Sequence, residues 1–157
     1  MTAPKKVLKH NGLELGLEFL PGEKRKPGFK TLTCAYGHIR LHKGEDFMAL
    51  DCYVHPDVIA NPNIEKDMWT IAQIIPQTGE IDETKIMIGF DNKEEAIAAY
   101  KSNIPAKYFG GIAPVSPSQL SLFHRNVQSL RPLSALSEVP LSLARKKSNN
   151  ITPLDIY

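Results

Sequence analysis

The sequence predicts a mixed α+β chain in which strands come first and helices follow. Three observations carry that reading. Residues 13 to 90 hold a series of short, strand-prone apolar runs separated by Pro-Gly and Gly turns. Two helix-start signals, in "DNKEEAIAAYKS" and "SPSQLSLFHRNVQSL", appear only after that. From Arg131 onward neither a helical nor a strand period persists. The expected organisation is an N-terminal arm over residues 1–12, a folded domain over 13–130 and an extended C-terminal arm over 131–157.

Each element follows from local sequence. "LELGLEFL" (Leu13 to Leu20) alternates imperfectly and ends at Pro21-Gly22, a turn signal. "GEKRKPGFK" is a basic loop punctuated by Pro and Gly, and "KTLTCAYGHIRLH" is strand-prone but interrupted at Gly37. "FMALDCYV" (Phe47 to Val54) is a strand apolar on both faces. Met48, Leu50, Cys52 and Val54 lie on one face, and Phe47, Ala49, Asp51 and Tyr53 on the other. Pro56 ends it, and "HPDVIANPNIEKD" reads as a loop. "MWTIAQIIP" and "KIMIGF" are two further strands, joined as a hairpin through "QTGEIDET" with its Gly79.

Asp91, with Glu94 three residues on, caps a helix that starts at Asn92 and carries Ile97, Tyr100 and, if it runs that far, Ile104 on one side. Pro105 limits its end. A second helix starts at Pro117, with Ser116 as N-cap and Gln119 closing the capping box. Its inward face is Leu120, Phe123 and Val127.

Bulk properties bound the function. A chain of 157 residues suits one domain with a proper core. A net charge of +2 gives no specific nucleic-acid signal. No apolar run approaches the ~20 residues needed to cross a bilayer. "MTAPKKVLKHNG" lacks the apolar h-region of a secretory signal. Cys34 and Cys52 fit a reducing compartment, as buried free thiols, with a disulfide between them left open. The five histidines form no zinc motif. His38 and His42 share a strand face without close approach.

Five pieces in order, "GLEFLPG", "AYGHI", "EDFMALDCYVHP", "PQTGEIDETKIMIGF" and "EEAIAAY", resemble the inorganic-pyrophosphatase-like domain of bacteriophage and prophage proteins. The resemblance runs from about residue 15 to 123 and is strongest over "TGEIDETKIMIGFDNKEEAIAAY". It implies a small, OB-like closed β-barrel with two C-terminal peripheral helices. It also implies a chemistry in which carboxylates gather magnesium around a phosphorylated substrate while cations and tyrosines hold the phosphates.

The resemblance assigns roles to particular residues. Glu18, Asp46, Asp51 and Glu83 fall on metal-binding positions, and Lys24, Tyr36 and Lys85 on phosphate-binding ones. The family's Asp-Gly-Asp-x-x-Asp motif places its outer acids on Asp46 and Asp51. Its glycine falls on Phe47, and its middle acid, the metal ligand and proton acceptor, on Met48. A thioether is a soft, weak ligand where magnesium takes hard oxygen donors, and it accepts no proton at neutral pH. Losing a general base alone typically costs about 10²- to 10⁴-fold in rate. The acid that precedes Glu83 in the family falls on Ile75 or Thr78, neither of them charged.

Asp46 and Asp51 therefore read as relics of a catalytic site. The chain reads as a degenerate member of the family: a phage structural or interaction protein, without cofactor, placed in the virion or the host cytoplasm. Its partners would be other phage structural proteins or copies of itself, reached through the C-terminal arm. The alternative is a magnesium-dependent phosphohydrolase with an altered site or substrate.

Overall fold

A computed structural model of the chain describes residues 4–43 and 46–120, and the side chains of 41–49 lie outside what it describes. The described strands are β1 (Lys6–His10), β2 (Leu13–Phe19), β3 (Ala35–Lys43), β4 (Asp46–Val54), β5 (Met68–Ile74), β6 (Ile81–Ile88) and β7 (Phe109–Val115). They form one sheet in the order β1-β2-β3-β4-β6-β5-β7. Every neighbouring pair is antiparallel except β4 and β6. Two helices, α1 (Pro56–Ala60) and α2 (Lys93–Asn103), a 3-10 turn at Ala106–Tyr108 and a helical turn over residues 117–120 accompany the sheet. No described helix is long and apolar enough to cross a membrane.

The period-2 alternation of the strands sorts the interior into two cores. On one face Leu15, Leu17, Ile39, Cys52, Ile86 and Ile88 pack together. Leu8 from one edge strand and Val115 from the other belong to this same cluster, so the sheet curls around it. The opposite face carries Tyr53, Ile71, Met87 and Ile112, covered by Ala96 and Tyr100 of α2. The faces of β4 alternate as its sequence predicts: Cys52 and Val54 lie in the first core, Tyr53 in the second.

The mixed α+β class stands, but the closed barrel does not. Closure requires the edge strands to meet, and no β1–β7 pairing joins the described residues. β1 is five residues long, and β7 carries Pro114, which offers no N–H to a ladder.

Four further expectations change. Residues 6–10, read as part of an arm, pair with β2 through the Asn11-Gly12 turn. Both turn residues have positive φ (52° and 78°), as a two-residue hairpin of that composition requires. Within "HPDVIANPNIEKD" the chain forms α1, with Pro56 at its start and the His55 ring accepting from the Asp57 N–H. Gly37 does not interrupt its strand: β3 pairs through it with both β2 and β4. β7 was not anticipated.

The helix caps follow the sequence closely. α2 is capped by Asn92, whose side chain accepts from the Glu95 N–H at 2.9 Å, one residue later than expected. The Asp91 carboxylate is held instead by Lys66 at 2.7 Å. Residues 117–120 are helical behind Ser116. The Ser116 Oγ accepts from the Gln119 N–H at 3.2 Å, and the Gln119 Oε1 accepts from the Ser116 N–H at 2.8 Å, a complete capping box. Ser116→Ala is expected to cost about 0.5–2 kcal/mol, measured by chemical denaturation. An unchanged midpoint would contradict the cap. The inward positions Phe123 and Val127 and the C-terminal arm lie outside the described residues.

Candidate functional site

On the α2 face of the sheet, four neighbouring strands bring charged side chains into one row. β3 and β4 pair with Tyr36 opposite Tyr53 and His38 opposite Asp51. β6 runs parallel to β4 and brings Lys85 alongside. A register shift between Leu17 and Phe19 of β2 inserts Glu18 as an extra residue beside β3.

The row alternates in sign. Glu18 Oε2 lies 2.7 Å from His38 Nδ1, and His38 Nε2 lies 3.0 Å from Asp51 Oδ1. Lys85 Nζ donates to Asp51 Oδ2 at 2.6 Å and lies 2.9 Å from Glu83 Oε1. Lys85 is 5% exposed and Glu18 8%, whereas Asp51 keeps 26% and Glu83 44%. The Glu18–His38 contact is at ion-pair distance but off the hydrogen-bond direction, so Glu18 Oε2 and His38 Nδ1 have no aligned hydrogen-bond partner.

Tyrosines and an arginine frame the row. The Tyr36 hydroxyl is hydrogen-bonded to Asp51. Burial, then the nearby Asp51 charge, pushes Tyr36 well above the usual phenol range, so it stays a donor. Burial also pushes Tyr53 up to about 12, against the opposing pull of Arg25, which donates to it. The Arg25 guanidinium lies 3.8 Å from the centre of the Tyr36 ring. For Asp51, burial favours the neutral acid. Attraction and a hydrogen bond from Lys85, with help from His38 and Tyr36, outweigh it and hold the carboxyl below its ordinary value. Cys34 and Cys52 are free and buried. Beside the row opens a cavity of about 480 Å³, lined by Arg25, Phe29, Lys30, Tyr53, Lys85 and Tyr108 among others.

Of the residues predicted from sequence, Glu18, Tyr36, Asp51, Glu83 and Lys85 come together. Asp46 begins β4, and at about 3.3 Å per residue its backbone stands roughly 16 Å along the strand from Asp51. Its side chain lies outside the described ones. Lys24 is exposed and does not line the cavity; its neighbour Arg25 takes the inward place. Sequence reasoning missed His38; it offered the loop Lys24-Arg25-Lys26 as the source of a phosphate-binding cation but singled out Lys24, where Arg25 lines the cavity. The signal for His38 was its two-residue spacing from Tyr36, which puts both on one strand face.

A divalent ion in this row would have to displace contacts that the acids already make. Asp51 has the Lys85 ammonium at one oxygen and the His38 ring at the other, Glu18 faces His38, and Glu83 faces Lys85. A divalent ion entering the row would meet Lys85 at once. Among the described residues, no group of three or more His, Cys, Asp or Glu side chains is arranged to hold a metal ion.

Comparison with known proteins gives one positive result. The family model of inorganic pyrophosphatase matches residues 3–125 of the 157. No curated protein and no solved structure matches. That span takes in every described strand, including β1 and β7, and it contains Glu18, Tyr36, Asp51, Glu83 and Lys85 gathered on one face of the sheet. The chain belongs to the inorganic pyrophosphatase family.

Proposed function

We propose that this chain is a non-hydrolytic member of the family, a structural or interaction protein of a phage- or prophage-encoded assembly. The observation that carries the loss of hydrolysis is Asp51. Lys85 at 2.6 Å and His38 at 3.0 Å occupy its two oxygens, which a metal-dependent enzyme would direct at an ion. Met48, at the position of the family's base and ligand, supports the same reading from sequence. The phage context rests on the resemblance of the ordered sequence pieces.

Interaction is assigned to the C-terminal segment on sequence grounds. Leu133, Leu136, Leu141 and Leu143 are spaced among Pro132, Pro140 and Pro153, which favour an extended path. Ordering a residue costs roughly 1–2 kcal/mol of backbone entropy. Burying one aliphatic side chain returns about 1.5–3 kcal/mol, so several leucines together can dock such an arm on a neighbouring chain. Hydrogen exchange on the full chain, monomeric and assembled, tests this. Fast exchange over residues 131–157 in the monomer and protection on assembly are expected. Strong protection throughout that segment in a proven monomer would overturn the assignment.

A second reading, a magnesium-dependent phosphohydrolase with an altered site or substrate, draws support from family membership and from the gathering of Glu18, Asp51 and Glu83 beside the cavity.

A further inference from the structure

The loop between β2 and β3 holds an aromatic ring out at the mouth of the cavity. Its residues Lys26-Pro27-Gly28-Phe29 fold as a Pro-Gly β-turn. The Phe29 N–H donates to the Lys26 carbonyl at 3.0 Å, and Gly28 takes the positive φ, 89°, that the third position of such a turn requires. The loop is pinned on both sides of this turn. Gly22 N–H donates to the Leu32 carbonyl and Leu32 N–H to the Glu23 carbonyl, each at 2.8 Å. Thr33 N–H donates to Asn103 Oδ1 of α2 at 2.8 Å, and Lys30 Nζ to the Lys101 carbonyl at 3.2 Å. A single exposed apolar side chain is ordinary on a protein surface. The setting of Phe29 is not: it is 45% exposed, fixed by its turn, and lines the cavity of about 480 Å³ together with Leu32, Ile104, Pro105 and Tyr108.

The same mouth carries cations that make no ion pair with a described acid. The described ion pairs engage Lys5, His38, Arg40, His55, Lys66 and Lys85. Arg25 and Lys30, which line the cavity, belong to none of them, and neither does Lys26. Arg25 and Lys26 lie 5.9 and 5.7 Å from the centre of the Phe29 ring. Glu83 is the acid among the described lining residues, and it is already turned to Lys85.

An inorganic anion needs cations and has no use for an apolar wall. A cavity that offers both suits a ligand with a flat ring at one end and an anion at the other. Its volume falls in the range of roughly 300–1,000 Å³ usual for small-molecule sites. We infer that this cavity binds a free nucleoside monophosphate, with the base stacked on Phe29 and the phosphate held by Arg25 and Lys30. A guanidinium presents a planar fork of donors that matches two phosphate oxygens, and the lysine adds a point charge. Stacking on an aromatic ring tolerates any base, because every base has a π-face. Binding of this kind needs neither metal nor hydrolysis. It goes beyond the proposed function and is independent of whether the chain belongs to a virion.

The experiment is calorimetric titration of the full chain in EDTA with AMP, GMP, CMP and UMP, with the matching nucleosides, and with inorganic phosphate. Saturable binding of the monophosphates is expected, tighter than that of the nucleosides or of inorganic phosphate by about tenfold or more, since each half alone forfeits the contacts of the other. Phe29→Ala should weaken monophosphate binding by about 5- to 150-fold, the range for losing one stacked base, and leave inorganic phosphate as it was. Arg25→Gln should weaken the monophosphates and inorganic phosphate together and spare the nucleosides. Absence of saturable monophosphate binding overturns the inference. So does binding no tighter than that of inorganic phosphate, or a folded Phe29→Ala that binds as the native chain does. A single-stranded oligonucleotide that binds far more tightly than any monophosphate would move the ligand to nucleic acid and equally overturn it. Should a variant fail to fold, the native chain's contrast between the monophosphates and their two halves decides. Because the readout is binding in EDTA and not phosphate release, failure here is distinguishable from failure of the functional reading.

Discussion

Gly37→Ala is expected to prevent the chain from folding, or to cost more than about 4 kcal/mol if it folds, an exceptional value for one methyl group. A Cβ at Gly37 would be driven into the Gly16 carbonyl oxygen and would stand 2.8 Å from the Leu17 Cα. Both are backbone atoms of β2, so neither can swing aside as a side chain would. Relief requires β2 and β3 to separate where they carry Glu18, Tyr36 and His38. Domains of this kind are stable by only about 5–15 kcal/mol, so such a separation takes up much of the margin. Gly16→Ala is the matched control across the same strand pair. Its Cβ would meet only the side chains of Pro4 at 3.4 Å and Arg40 at 3.5 Å, ordinary contact distances. Soluble yield and urea midpoints compare the two. A Gly37→Ala protein as stable as the Gly16→Ala control would contradict the strand register.

Lys85→Met should be the next most damaging change, at about 3 kcal/mol, the lower end for breaking a buried ion pair because Asp51 retains some exposure. The lysine is 5% exposed, and its removal leaves Asp51 with only His38 and the Tyr36 hydroxyl as partners. Adding Asp51→Asn to Lys85→Met should recover part of the loss, since the uncompensated charge goes with it. A double-mutant cycle measures that coupling.

The pH dependence fixes the sign. The folded-state pKa of Asp51 is depressed, so its contribution is fully present above the ordinary carboxylate value of 3.8 and is lost as pH falls through the lower folded value. The stability gap between native protein and Lys85→Met should therefore be widest near neutrality and close in acid. A gap that widens on acidification would show that Lys85 acts by something other than its bond to Asp51.

Much of the fold was legible because it rests on local rules. The alternation of Leu50 to Val54 gave the two faces of β4, and Ser116-Pro117 with Gln119 gave a cap that forms in full. The Asn11-Gly12 turn is a local hairpin signal of the same kind, which the reading of residues 1–12 as an arm leaves unused. β7 was hidden for a physical reason: Gly110, Gly111 and Pro114 all lower strand propensity. Only its edge position, with Pro114 exposed, makes them acceptable. The closed barrel came from resemblance and not from any residue pattern, and the sheet does not close.

The site divides the same way. Glu18, Tyr36, Asp51, Glu83 and Lys85 could be placed from motif order. His38 could not, because its role depends on lying opposite Asp51 in the β3–β4 register and beside the irregularity that presents Glu18. Arg25, and not Lys24, lies against Tyr36, because the path of the loop decides which of the adjacent basic side chains turns inward. Long-range register and loop path, unlike alternation and capping, are not written in a short window of sequence.

The central claim is that a pyrophosphatase fold here has given up hydrolysis. Phosphate release from pyrophosphate by the purified full chain in excess magnesium tests it most directly. The account predicts release no faster than in a protein-free control, for the native chain and for Asp51→Asn alike. Robust turnover by the native chain that disappears in Asp51→Asn would contradict it.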